Sequence, residues 1–71
     1  MASNTIGQRM ALALEKRADE NGITYKQECE NLSIPYDTFR DWRKRSKFPS
    51  SYYLRRFALA GYDIVWILTG E

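Results

Sequence analysis

The 71-residue sequence predicts a compact all-α domain of five helices. Three observations carry that expectation. Apolar residues recur at the i, i+4, i+7, i+8 spacing of a helical stripe, first in Ile6, Met10, Ala13, Leu14 and Ala18. Thr-x-x-Gln capping boxes open two segments, and glycines or prolines close or interrupt them. No stretch alternates apolar and polar residues in the way a half-buried strand would.

The first helix runs from Thr5 to Asn21. Thr5 with Gln8 forms the opening box and Gly22 supplies the left-handed stop. Thr24 with Gln27 repeats the box and opens a short second helix with Cys29 and Leu32 inward, broken at Ser33-Ile34-Pro35. Pro35 fits a helix start, because its missing N–H has no partner to lose there. The third helix is expected from Tyr36 to Arg45, with Phe39 and Trp42 as its buried i, i+3 pair. A Lys47-Phe48-Pro49-Ser50 loop follows. Ser50 or Ser51 caps a fourth helix carrying Leu54, Phe57 and Ala58 and reaching as far as Gly61. Asp63 caps a last short helix, Ile64 to Thr69, which Gly70 closes. Connections of two to six residues suit a single domain spanning 1–71.

Composition narrows the function. With no His and one Cys, Cys29, the chain has no zinc module, internal disulfide or His-dependent hydrolase site. No metal, cofactor or small-molecule ligand is expected. An enzyme is not expected either, since no nucleophile–base pairing and no phosphate loop is present. No apolar run approaches the roughly 18 residues of a membrane span, and the start lacks a signal-peptide layout. The expected location is cytoplasmic, in a bacterial host cell and associated with the nucleoid.

The formal charge of +2 conceals a gradient. Residues 1–35 carry Arg9, Lys16, Arg17 and Lys26 against Glu15, Asp19, Glu20, Glu28 and Glu30, a net −1. Residues 36–56 carry Arg40, Arg43, Lys44, Arg45, Lys47, Arg55 and Arg56 against Asp37 and Asp41, a net +5. Residues 57–71 return −2 through Asp63 and Glu71. Such clustering is required for phosphate binding, although a solvated helix face has it too.

The segment Ile23 to Arg43 has the spacing of a helix-turn-helix, with the motif placed at about residues 24–45. Cys29 is the small residue where two helices cross, Ile34 plugs the turn, and Phe39 and Trp42 lock the second helix. The outer face of that helix is then held for the major groove of DNA. Tyr36, Asp37, Arg40, Asp41 and Lys44 lie on it as base-reading candidates. Arg40 suits guanine O6 and N7, Asp37 a cytosine amino group, Tyr36 a thymine methyl, and Lys44 a base or a phosphate. Asp37 also suits the positive end of the helix dipole, and Arg40 can pair with it at i, i+3. Lys26, Gln27, Thr38, Arg43, Arg45, Ser46 and Lys47 are the phosphate or positioning candidates. Arg55 and Arg56 read as solvated helix charges.

In these residues the chain resembles the phage-repressor and Cro branch of the lambda-repressor-like DNA-binding domains. ITYKQECENLSIPYDTFRDWRKR looks like that family's helix-turn-helix. FPSSYYLRRFALAGYDIVWILTGE is similar to the tail of its repressor N-terminal domains, ending in Asp63-x-x-Trp66-x-Leu68-Thr69-Gly70. The resemblance covers nearly the whole chain. It implies a five-helix fold with the motif at helices 2 and 3, and a transcriptional regulator, most like a repressor, that binds a pseudo-palindromic operator. It places Tyr25 at the family's phosphate-clamping position, where partial burial is the other reading. Nothing like the C-terminal oligomerisation domain of phage repressors follows. The expectation is therefore either an isolated N-terminal domain or a short Cro-like protein.

Two positions depart from the family pattern. Ser33 stands where Gly is usual, at a cost of roughly 1 kcal/mol if the turn needs a positive φ. Glu28 stands where Leu is usual, facing the core, and is expected to pair with a basic residue or to reach the edge. Ile64, Val65, Trp66, Ile67 and Leu68 are five consecutive apolar residues, of which one helix face buries about half. They are the candidate contact of a weak homodimer. The alternative function is a helical protein-interaction module, of antitoxin or anti-repressor type, using the same fold.

Overall fold

The structure is a computed structural model and describes residues 5–44 and 49–71. It is all-helical: α1 (Ile6–Asn21), α2 (Tyr25–Asn31), α3 (Tyr36–Arg43), α4 (Ser51–Leu59) and α5 (Ile64–Thr69), with no strand among the described residues. α1 packs against α2, α3 and α5, and α4 closes on α5. No helix among the described residues is long and apolar enough to cross a membrane.

Both expected capping boxes form. Thr5 Oγ1 accepts from Gln8 N at 3.1 Å while Gln8 Oε1 accepts from Thr5 N at 3.0 Å. Thr24 and Gln27 repeat the exchange at 3.0 and 2.8 Å. Asp63 Oδ1 accepts from Trp66 N at 3.0 Å and starts α5. Ser50 stands at the start of α4 without a side-chain cap bond, so the Ser cap expected there does not form.

Three helices end in the same way. At the ends of α1, α2 and α4 a residue of positive φ (Gly22 at 69°, Ser33 at 58°, Gly61 at 86°) lets the next residue donate back across the last turn. Those bonds are Ile23 N to Ala18 O, Ile34 N to Cys29 O and Tyr62 N to Phe57 O, at 3.0, 2.9 and 3.0 Å. The turn after α2 therefore has the left-handed shape that glycine would favour, with Ser33 carrying the strain. Two boundaries fall short of the sequence reading. α3 stops at Arg43, with Lys44 as its cap, and α4 stops at Leu59 rather than Gly61.

The core joins Met10, Ala11 and Leu14 of α1, Cys29 of α2, Leu32 and Ile34 of the turn, Phe39 and Trp42 of α3, Phe57 of α4, Tyr62, and Ile67 of α5. Ile6 and Ala13, counted in the α1 stripe, lie at its margin, whereas Ala11 and Gly7 are inside it. Aromatic edges tie the layers together. Trp42 meets Tyr53 and Phe57 at 5.5 and 5.8 Å between ring centroids, and Phe39 meets Tyr25 and Tyr36 at 6.1 and 5.7 Å.

Candidate nucleic-acid interface

α2 and α3 are joined by the four residues Leu32 to Pro35. Cys29 is fully buried where they meet, and Ile34 fills the turn. Burial pushes the Cys29 thiol up to about 11, with Glu28 and Glu30 acting in the same direction, so the group is an un-ionised apolar filler. Phe39 at 0% and Trp42 at 2% exposure fix the inner face of α3.

The opposite face stays in solvent. Asp37 and Arg40 have side chains 91% and 53% exposed, with Arg40 Nη1 3.7 Å from Asp37 Oδ1. Lys44 is exposed at the end of the helix. Asp41 is half-buried beside them, and Tyr36 leans partly buried on Phe39. Four of the five base-reading candidates are thus on α3 and the fifth, Lys44, caps it, with Asp37, Arg40 and Lys44 the exposed ones.

The phosphate candidates separate more widely. Lys26 is exposed on α2. Gln27 is committed to its capping box, and Tyr25 sits edge-on to Phe39, partly buried. Thr38 is half-buried. Arg43 turns toward α1, its Nε 3.1 Å from Glu15 Oε2, with its guanidinium 5.6 Å from the centre of the Phe39 ring. Arg45, Ser46 and Lys47 lie outside the described residues.

Behind this face Glu28 points into the core as its position implies, but neither the basic partner nor the escape to the edge expected for it is found among the described residues. Glu28 is 4% exposed, so it does not reach the edge, and it forms no ion pair among the described residues. Tyr62 Oη donates to its Oε2 at 2.6 Å, and Asn31 Nδ2 donates to Oε1 at 3.3 Å. Burial pushes the Tyr62 phenol up. The hydrogen bond to Glu28 and the Glu28 charge push it further, and only Arg17 opposes them. The Arg17 guanidinium stacks 3.9 Å above the Tyr62 ring and donates to Ala60 O at 2.7 Å.

Arg56 is also not a solvated charge. Its Nε donates to Leu32 O at 3.0 Å, bracing the end of α2 from α4. Arg9 does the same for α5, donating to Ile67 O at 2.7 Å and Leu68 O at 3.3 Å. Cationic donors on helix C-termini satisfy terminal carbonyls and suit the dipole. No local sequence signal announces these contacts, because their partners lie 24 to 59 residues away.

In α5, Ile67 is fully buried in the chain's own core and is not available to a second chain. Ile64 and Trp66 are partly buried, while Val65 is 67% and Leu68 44% exposed. Comparison with protein-family models, with curated proteins and with solved structures returned no match.

Proposed function

We propose that this chain is a sequence-specific double-stranded DNA-binding regulator, of the lambda-repressor-like kind its sequence resembles, with α3 entering the major groove. The observation that carries the reading is the two-sidedness of α3. Its inner residues Phe39 and Trp42 are locked in an aromatic core, and its outer residues Asp37, Arg40 and Lys44 project into solvent. A helix fixed on one side with donors and acceptors on the other meets the demands of reading base edges. Lys26 supplies a phosphate contact that positions it.

The same reading calls for two copies on a pseudo-palindromic operator, because one such motif touches few base pairs. The exposed Val65 and Leu68, with the outer edges of Ile64 and Trp66, form the contact of a weak homodimer. Repression by occupying an operator follows as the regulatory role.

Selection from random duplexes, followed by fluorescence anisotropy across a salt series, tests the reading. A preferred sequence is expected, bound more weakly as salt rises. Affinity independent of both sequence and salt overturns it. A protein that stays monomeric into the high-micromolar range, and on a palindromic duplex, overturns the dimer.

A further inference from the structure

Two exposed charges of the α3 face are a pair. Asp37 and Arg40 stand one helical turn apart at 3.7 Å, beyond hydrogen-bond length, so both groups keep hydrogen-bonding capacity for a ligand while the pair limits where Arg40 points. Asp37 matters most, because a carboxylate carried toward a phosphate backbone is repelled by it. It is tolerated in a major groove only where a donor meets it. The donors there are the amino groups of cytosine N4 and adenine N6, while guanine O6 and N7 are the acceptors that fit a guanidinium in two places.

A guanidinium and a carboxylate 3.7 Å apart match the edge of a single base pair, where guanine O6 and the cytosine N4 amino group are hydrogen-bonded to each other at roughly 3 Å. A G·C pair offers both partners side by side: O6 and N7 of the guanine and the amino group of its cytosine. An A·T pair in the same place offers no O6/N7 pair for Arg40, and a reversed pair sets guanine O6 against the carboxylate. We propose that Asp37 and Arg40 act as one reading unit for a single G·C pair, Arg40 taking the guanine and Asp37 accepting from the cytosine amino group. This rests on the DNA-binding reading and names the base pair at its centre. It also makes recognition sensitive to N4-methylation of that cytosine, because the methyl group replaces the hydrogen that Asp37 accepts.

The test compares the full chain with Asp37→Ala, a substitution at an exposed position whose thermal melting confirms the fold. Each protein is put through duplex selection and then titrated with the selected duplex, with and without N4-methylcytosine in the chosen pair. The wild type is expected to select G·C at one position and to lose about tenfold in affinity on methylation. Asp37→Ala, which removes the acceptor altogether, is expected to relax that preference while binding all duplexes somewhat more tightly, having lost a negative charge, and to be indifferent to the methyl group. Equal base preference and equal methylation response in both proteins overturn the inference alone, leaving Asp37 as a helix-dipole charge. Binding by the wild type without any sequence preference overturns the DNA-reading role and the inference together.

Discussion

Arg9, Arg17 and Arg56 turn back onto the C-terminal carbonyls of α5, α4 and α2, whereas Arg40 and Lys44 project from the outer face of α3. The inward group is satisfied by the fold itself and the outward group is not. Segment charge hides the difference. Of the seven basic residues between 36 and 56, Arg56 braces α2 and Arg43 is paired with Glu15, so both are occupied by this chain's own atoms. A basic run therefore overstates the surface open to a phosphate, and the accessible part is narrower and better defined.

The sharpest way to break this division is to remove what holds α3 rigid. Phe39→Ala is expected to cost about 3–5 kcal/mol. That is a large share of the total stability of so small a domain, roughly 0.05–0.15 kcal/mol per residue. Urea denaturation is expected to find the variant largely unfolded; near-wild-type stability would mean that α3 is not anchored by its inner face.

Removing one partner of the inward network is the next largest effect. Tyr62→Phe leaves the buried Glu28 without its 2.6 Å donor and is expected to cost about 1–3 kcal/mol. The loss should shrink when Glu28 is also replaced by Leu, because the uncompensated carboxylate has then gone. Additive losses in that double-mutant cycle would separate the two residues.

On the outer face the same type of measurement should give the opposite result. Arg40→Ala is expected to leave the denaturation midpoint within about 0.5 kcal/mol, since the side chain is exposed and its ion pair is long. It is expected to remove about 1–3 kcal/mol of discrimination at one base position in duplex-binding assays. A stability loss as large as that of Tyr62→Phe would erase the distinction between the two groups.

pH resolves the inside further. The Cys29 thiol, at about 11 in the fold against 9.0 without it, ionises more readily in the unfolded chain. Stability is therefore unaffected by this group below about pH 9, and declines as pH rises from about 9 to about 11, by about 1–2 kcal/mol. The difference between wild type and Cys29→Ala across that window isolates the contribution, and parallel curves would contradict it. The smallest effect expected is a gain. Ser33→Gly relieves the φ of 58° at the end of α2 and should raise the melting temperature by the equivalent of about 0.5–1 kcal/mol.

Much of the scaffold was legible because its signals are local. Thr5 with Gln8, Thr24 with Gln27, Gly22, Asp63 and Gly70 act within a turn of their own positions, and each forms the cap its residue type implies. Phe39 and Trp42 were legible as the inner face of α3 because an i, i+3 pair of large apolar groups has one way to be buried. Asp37, Arg40 and Lys44 followed as the outer face by the same geometry. The inward position of Glu28 was legible but its partner was not, because that partner is a phenol 34 residues away and not a charge. Arg56 was misread because an arginine on a helix surface carries no sign of the carbonyl it will reach.

The sequence by itself determined which segments are helices, where they start, where α1 and α5 stop, and which side of α3 faces inward, since propensity, capping and periodicity act over three or four residues. Only the tertiary structure decided which charges are used up. It set Arg9, Arg17 and Arg56 on helix ends, Glu28 on Tyr62 and Arg43 on Glu15, leaving Asp37 and Arg40 outward. The physical reason is that a hydrogen bond or ion pair depends on distance in space, and chain separation says nothing of that until the helices have packed.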